Sequence, residues 1–257
     1  MRNNAFTISL STFVVGIFGF FLRWLQHING FEENGLAIPG VTIATVYLVY
    51  SLVAFAAFIV ICRICLGKKS APTEAMEAFR PLNPIPGAIM WAIAAVMAIA
   101  CLVLMFSSDF ARYPTMQRIM SALGIFSAVC LPFLVRRWAE GEDGSSRGIM
   151  ALLPVVFGCM WIITSYRIES ENPVLWSYVV EMLAIIAVTL SFYYIAAYFH
   201  GRAKPGRCFV VLQTTVYLCM CTLMDEHSGV EKLLFGCLAA AFLVLEYLLL
   251  HNLKDPE

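Results

Sequence analysis

Apolar residues in this chain fall into long runs separated by short polar stretches, and run length is the first clue to what they form. Eight runs lie at approximately 5–25, 41–65, 86–106, 115–135, 148–166, 173–199, 208–225 and 230–250. Each is near the ~20 residues that carry a helix across a hydrocarbon core. The expected fold is therefore an all-α bundle of eight transmembrane helices forming one domain over 1–257. Three runs fit less cleanly: the fourth holds Gln117, Arg118 and Pro132, the fifth holds Pro154, and the seventh is short and holds Gln213. The backbone gaps left by the two prolines must be met by neighbouring helices, which predicts that Pro132 and Pro154 face the bundle interior.

Two runs carry a polar stripe at helical spacing. In the sixth, Ser177, Glu181, Ala184, Val188, Ser191, Ile195 and Tyr198 recur every third or fourth residue among Leu, Ile, Val and Phe. In the first, Ser9, Thr12, Gly16, Gly19, Arg23 and Gln26 do the same. Such a face needs other helices to cover it. Gly16 and Gly19 allow another helix to approach closely. The expectation is that the first and sixth spans pack along these stripes, with Arg23 paired to Glu181 about 10 Å below the outer boundary.

Charge placement adds an orientation. With the N-terminus inside, the inner segments hold Arg2, Arg63, Lys68, Lys69, Arg80, Arg136, Arg137, Arg147, Arg202, Lys204, Arg207 and Lys254. The outer segments hold only Arg23, Arg112, Arg118, Arg167 and Lys232. This asymmetry predicts that both termini are cytoplasmic. Trp24, Trp161, Tyr166, Trp176 and Tyr178 would then mark the outer boundary, and Trp91, Trp138 and Tyr198 the inner one. The first run is too long for a signal h-region and has no small-x-small cleavage site after it, so it reads as a retained helix.

Composition agrees. The chain is 61% hydrophobic and 13% charged, where a soluble domain needs roughly a quarter charged. Mean hydropathy is +0.81, so lipid is the expected solvent for most of the chain. Lysine plus arginine and aspartate plus glutamate each total 17, and no basic block suggests nucleic acid. All nine cysteines lie within or at the ends of apolar runs, which reads as packing rather than a disulfide framework. The same holds for Cys62-x-x-Cys65, which lacks a second ligand pair. The lack of an Asn-x-Ser/Thr sequon favours a bacterial cytoplasmic membrane.

Ionisable groups inside a membrane are the best functional pointers. Glu181, Arg23, Ser177 and Tyr178 form the candidate substrate or ion site. Glu246 on the last span, Gln213 on the seventh and Arg63 at the end of the second form a second polar layer near the inner side. A Gln213–Glu246 hydrogen bond is expected there, with Arg63 as a further candidate partner. Asp225 closes the seventh span and is expected to be solvated. Between the layers lie Thr189, Ser191, Thr214 and Thr215. The inner loop around 72–80 predicts a short surface helix with Met76 and Phe79 on one face. The outer loop 31–40 reads as a tight connector rather than a lid.

His27, His200, His227 and His251 fall at run ends, so no haem, metal or other cofactor is expected. Linear enzyme motifs are absent and no enzymatic activity is expected. The leading expectation is a small-solute or ion permease in a cell membrane. The alternative is a non-transporting subunit, scaffold or sensor that binds a membrane protein partner through its helices.

Overall fold

The computed structural model describes residues 2–32, 38, 43–66, 72–81, 83–107, 113–135, 144–170 and 175–253; within these, the side chains of 2–4, 43–46, 48, 144–147 and 175–177 are not described. The helices in chain order are α1 (Arg2–Gly30), α2 (Ile43–Leu66), α3 (Ala75–Ala78), α4 (Ile85–Phe106), α5 (Pro114–Val135), α6 (Gly144–Glu169), α7 (Leu175–Phe199), α8 (Pro205–Thr222) and α9 (Gly229–His251).

Seven of these, all but α3 and α8, are long and apolar enough to cross a membrane. Their outward faces carry large apolar side chains, among them Phe18 of α1, Val53 of α2, Phe106 of α4 and Phe126 of α5. A surface of this kind suits lipid, and the protein is a helical, multi-pass membrane protein.

Helix α8 differs for a physical reason. It packs between α1, α7 and α9, and Phe55 of α2 stacks on its Tyr217 with ring centroids 4.3 Å apart. None of its large apolar side chains is exposed. A helix that meets protein on its sides has no lipid to satisfy, so it tolerates Gln213, several threonines and three cysteines. Among the described residues there are eight long helices, and seven of them, not the expected eight, meet the requirement for a span.

Helices α4 to α9 pack in sequence order, and α9 returns to α4, which closes a ring. α9 also reaches across it: Phe235 lies 4.9 Å from Trp161 of α6, and Phe242 lies 4.9 Å from Phe192 of α7. α1 lies in the groove between α8 and α9, and α2 packs on α1. Pro132 and Pro154 are both buried within the bundle, as their backbone gaps require.

Some boundary assignments change. Trp24, Tyr166 and Trp91 are exposed, as a lipid boundary requires. Trp161 and Tyr198 are each only 2% exposed. Trp161 fills the core between Phe157 and Phe235, and Tyr198 packs edge-on against Phe79. Trp138 and the side chain of Trp176 lie outside the described residues. The short helix of the inner loop is a single turn, α3, and its two apolar residues separate: Phe79 is buried while Met76 is 40% exposed. Asn252 anchors this segment by donating to the carbonyls of Ala78 and Arg80, both at 3.0 Å. In the outer loop, the Ile38 amide donates to the Gly30 carbonyl at 3.1 Å; residues 33–37 and 39–42 lie outside the described residues.

Candidate functional site

The stripe on α1 is buried throughout: Ser9, Thr12, Gly16, Gly19, Arg23 and Gln26 all face protein. Its partners differ from the expected ones. α1 packs on α8, α9 and α2, whereas α7 packs on α6 and α8. The glycines show how tightly α1 meets α8. A Cβ on Gly19 would lie 2.5 Å from Cε2 of Tyr217 and 2.7 Å from Sγ of Cys221, and one on Gly16 would lie 3.0 Å from Cγ of Met220. Here the missing side chains make room for an aromatic ring, a thiol and a thioether rather than for backbone.

The expected Arg23–Glu181 pair is corrected. Arg23 Nε donates to Asp225 Oδ1 at 2.7 Å, and both side chains are almost fully buried. Arg23 also donates from a terminal guanidinium nitrogen to Gln26 Oε1 at 2.7 Å. His27 Nε2 lies 3.0 Å from the same Asp225 oxygen, and this imidazole keeps partial exposure. Asp225 is therefore not solvated. The turn after α8 folds it inward onto the α1 stripe, where a guanidinium offsets its charge.

Glu181 is buried at 6% exposure, and its stripe on α7 is covered from Glu181 through Ala184, Val188, Ser191, Ile195 and Tyr198. Ser165 of α6 lies close to it, and the charged groups around it include Glu231, Glu169 and Asp225. The carboxyl thus sits in acidic surroundings on the α6–α7 side of the bundle. Tyr178 is half-buried, and the Ser177 side chain lies outside the described residues.

The second polar layer forms, with one addition and one subtraction. Gln213 Nε2 lies 3.4 Å from Glu246 Oε1, the expected contact. Thr12 of α1 completes the group: its hydroxyl donates to Glu246 Oε1 at 2.8 Å and accepts from Gln213 Nε2 at 3.1 Å. Gln213 and Glu246 are both fully buried. Arg63 does not join them. It lies over the first turn of α8, with a guanidinium nitrogen 2.8 Å from where a Cβ on Gly206 would sit. Cys62, one residue earlier, reaches Gln213 instead. Cys65 is exposed while Cys62 is buried, so the two thiols of that motif do not face one site.

A cavity of about 30 Å³ lies beside the Arg23 cluster. It lies between Gly19 and Arg23 of α1, Ser51 of α2, Val180 of α7, and Tyr217 and Cys221 of α8. This volume is too small for an organic solute, and its mainly apolar lining gives a water few hydrogen-bond partners. On the α7–α8 face, Ser191 and Thr215 share a hydrogen bond of 2.7 Å. Thr189 and Thr214 instead bond to carbonyls of their own helices.

The signal for Gln26 and His27 was present in sequence: they follow Arg23 by three and four residues and so share its helix face. Asp225 gave no comparable signal, because its burial depends on the direction of the turn between α8 and α9. Among the described residues, no three His, Cys, Asp or Glu side chains gather as a metal site would require. The chain matches no protein-family model, no curated protein and no solved structure. Function is accordingly read from the chemistry of the α1–α8–α9 seam.

Proposed function

We propose that this protein is a non-enzymatic permease for a small ion or solute, with its route along the seam where α8 meets α1 and α9. One observation carries the reading. Two carboxyl groups, Glu246 and Asp225, are buried on this seam about 16 Å apart, as judged from Thr12 and Arg23 on the same α1 face. Ionisable groups held inside a membrane bundle mark ion and proton pathways more than they mark packing. The cavity beside Arg23 is too small for an organic solute.

The full topology belongs to this reading: eight spans including α8, both termini cytoplasmic, and a bacterial cytoplasmic membrane. The Arg23–Asp225–His27 cluster then lies at the outer end and the Thr12–Gln213–Glu246 cluster toward the inner end. Glu181, behind the seam on the α6–α7 side, sits outside this route.

Reconstitution into proteoliposomes tests the proposal. Protein-dependent movement of protons or monovalent cations, lost in Asp225→Asn with folding retained, is the expected result. No flux under any ion gradient, together with a stoichiometric membrane partner in native mass spectrometry, would replace this reading with that of a non-transporting subunit.

A further inference from the structure

We propose that Glu246 is a proton-loading site, a buried carboxyl that takes one proton from water and returns it. Its purpose rests on the permease reading; its existence does not.

The hydrogen-bond inventory around Glu246 points to a missing donor. Oε1 accepts from the Thr12 hydroxyl at 2.8 Å and lies 3.4 Å from Gln213 Nε2. Oε2 is buried and has no hydrogen-bond partner among the described residues. The same is true of Gln213 Oε1. Two acceptors are therefore unmet on adjoining side chains. A proton on the carboxyl turns Oε2 from acceptor to donor and leaves Oε1 as the carbonyl that Thr12 and Gln213 recognise.

The charges around the site point the same way. Among the described residues the ion pairs are Arg23–Asp225 and His27–Asp225, and neither involves Glu246. α1 brings Thr12 to it, and its guanidinium at Arg23 is three turns away and already engaged by Asp225. α8 brings Gln213. Among the described residues, Cys62 of α2 is a titratable group near Gln213 and Glu246. On α4 the one titratable side chain is Cys101, which lies near Cys237, more than two turns along α9. α6 and α7 meet α9 through Trp161 and Phe192, which carry no charge. A buried carboxylate without a counter-charge is costly, and a proton is the smallest species that neutralises it. A hard cation such as calcium takes about six to eight oxygens, and this site offers two uncommitted ones.

Ser9, one turn from Thr12 on the same α1 face, also has a buried hydroxyl without a hydrogen-bond partner among the described residues. It extends the polar line from Glu246 toward the near end of the bundle. On the other side, Asp225 Oδ2 is likewise unpartnered. The seam thus offers hydrogen-bonding groups on both sides of the carboxyl.

Infrared difference spectroscopy on purified protein in lipid tests this. The expected result is a neutral carboxylic C=O band that shifts in D2O, disappears in Glu246→Gln, persists at a shifted frequency in Glu246→Asp, and fades as the bath is made alkaline. Absence of any band assignable to Glu246 across the neutral range overturns the proposal. So does a band that responds to sodium at fixed pH in place of protons. If Glu246→Gln does not fold, the frequency shift in Glu246→Asp decides. Proteoliposome proton flux is read in parallel. A Glu246 band without any proton flux supports the proton site and refutes a proton route along the seam, so the two failures remain separable.

Discussion

Asp225 receives Arg23 and His27 on one oxygen, so the effect of removing Arg23 depends on what happens to the acid. Breaking a buried pair by deleting one member leaves an uncompensated charge, at about 3–5 kcal/mol. Arg23→Ala should therefore lower the melting temperature in detergent strongly. Adding Asp225→Asn should recover part of the loss, and adding Glu181→Gln should recover none. Rescue by Glu181→Gln would restore the pairing that the α1 and α7 stripes suggested. Glycines on the seam give a second residue-level contrast. Gly19→Ala places a Cβ 2.5 Å from the Tyr217 ring and should cost about 1–3 kcal/mol in thermal or denaturant unfolding. Gly236→Ala, on α9, meets nothing within 4 Å and should stabilise by up to about 1 kcal/mol through helix propensity.

At the scale of the element, the turn from α8 into α9 does the positioning. Ser228 caps α9 by accepting from the Glu231 amide, while the Glu231 carboxylate accepts from the Ser228 amide at 3.0 Å. This reciprocal cap fixes where α9 begins, and so fixes the path of residues 223–227 that folds Asp225 onto α1. Ser228→Ala should cost about 1 kcal/mol, read as a lower melting temperature, and should loosen the Arg23–Asp225 contact. His227 adds a pH term to the same turn. Burial holds its imidazole below the ordinary value of 6.5, and its ring packs 5.7 Å from Phe235. The folded state therefore prefers the neutral ring. Its contribution is complete above the unfolded-chain pKa and is lost as pH falls through the depressed folded value. The melting temperature of the wild type should drop more on acidification than that of His227→Gln, and parallel curves would remove His227 from the account.

For the molecule as a whole, the position of α8 makes a prediction about chemical access. Cys208, Cys219 and Cys221 are buried on a helix enclosed by others, whereas Cys65 and Cys159 are exposed on α2 and α6. A membrane-permeant maleimide should label Cys65, at the end of α2, in the folded protein, and should label the α8 cysteines only after denaturation. Peptide mass spectrometry reads both. Early labelling of Cys219 would mean that α8 opens to lipid or water and that the bundle is looser than its packing indicates.

Much of this was legible from the chain alone. Periodicity placed the long helices, because a lipid-facing helix must show its apolar surface over about 20 residues. It also marked which side of α1 and α7 would be covered, since polar and small residues at three- and four-residue spacing have no place in acyl chains. Backbone gaps foresaw Pro132 and Pro154 inside the bundle, and a shared depth near the inner side foresaw the contact between Gln213 and Glu246. Spacing within a helix carries no information about which neighbour covers a stripe. That depends on how the helices pack, and here α1 meets α8 and α9 while α7 meets α6 and α8. Arg23 therefore finds Asp225, Glu181 finds Ser165, and Thr12 joins Glu246. Sequence determined that this protein lives in a membrane and which faces must be hidden from lipid. Tertiary structure alone decided which buried charges meet, because a pairing over 202 residues of chain is set by helix order in the bundle rather than by any local preference.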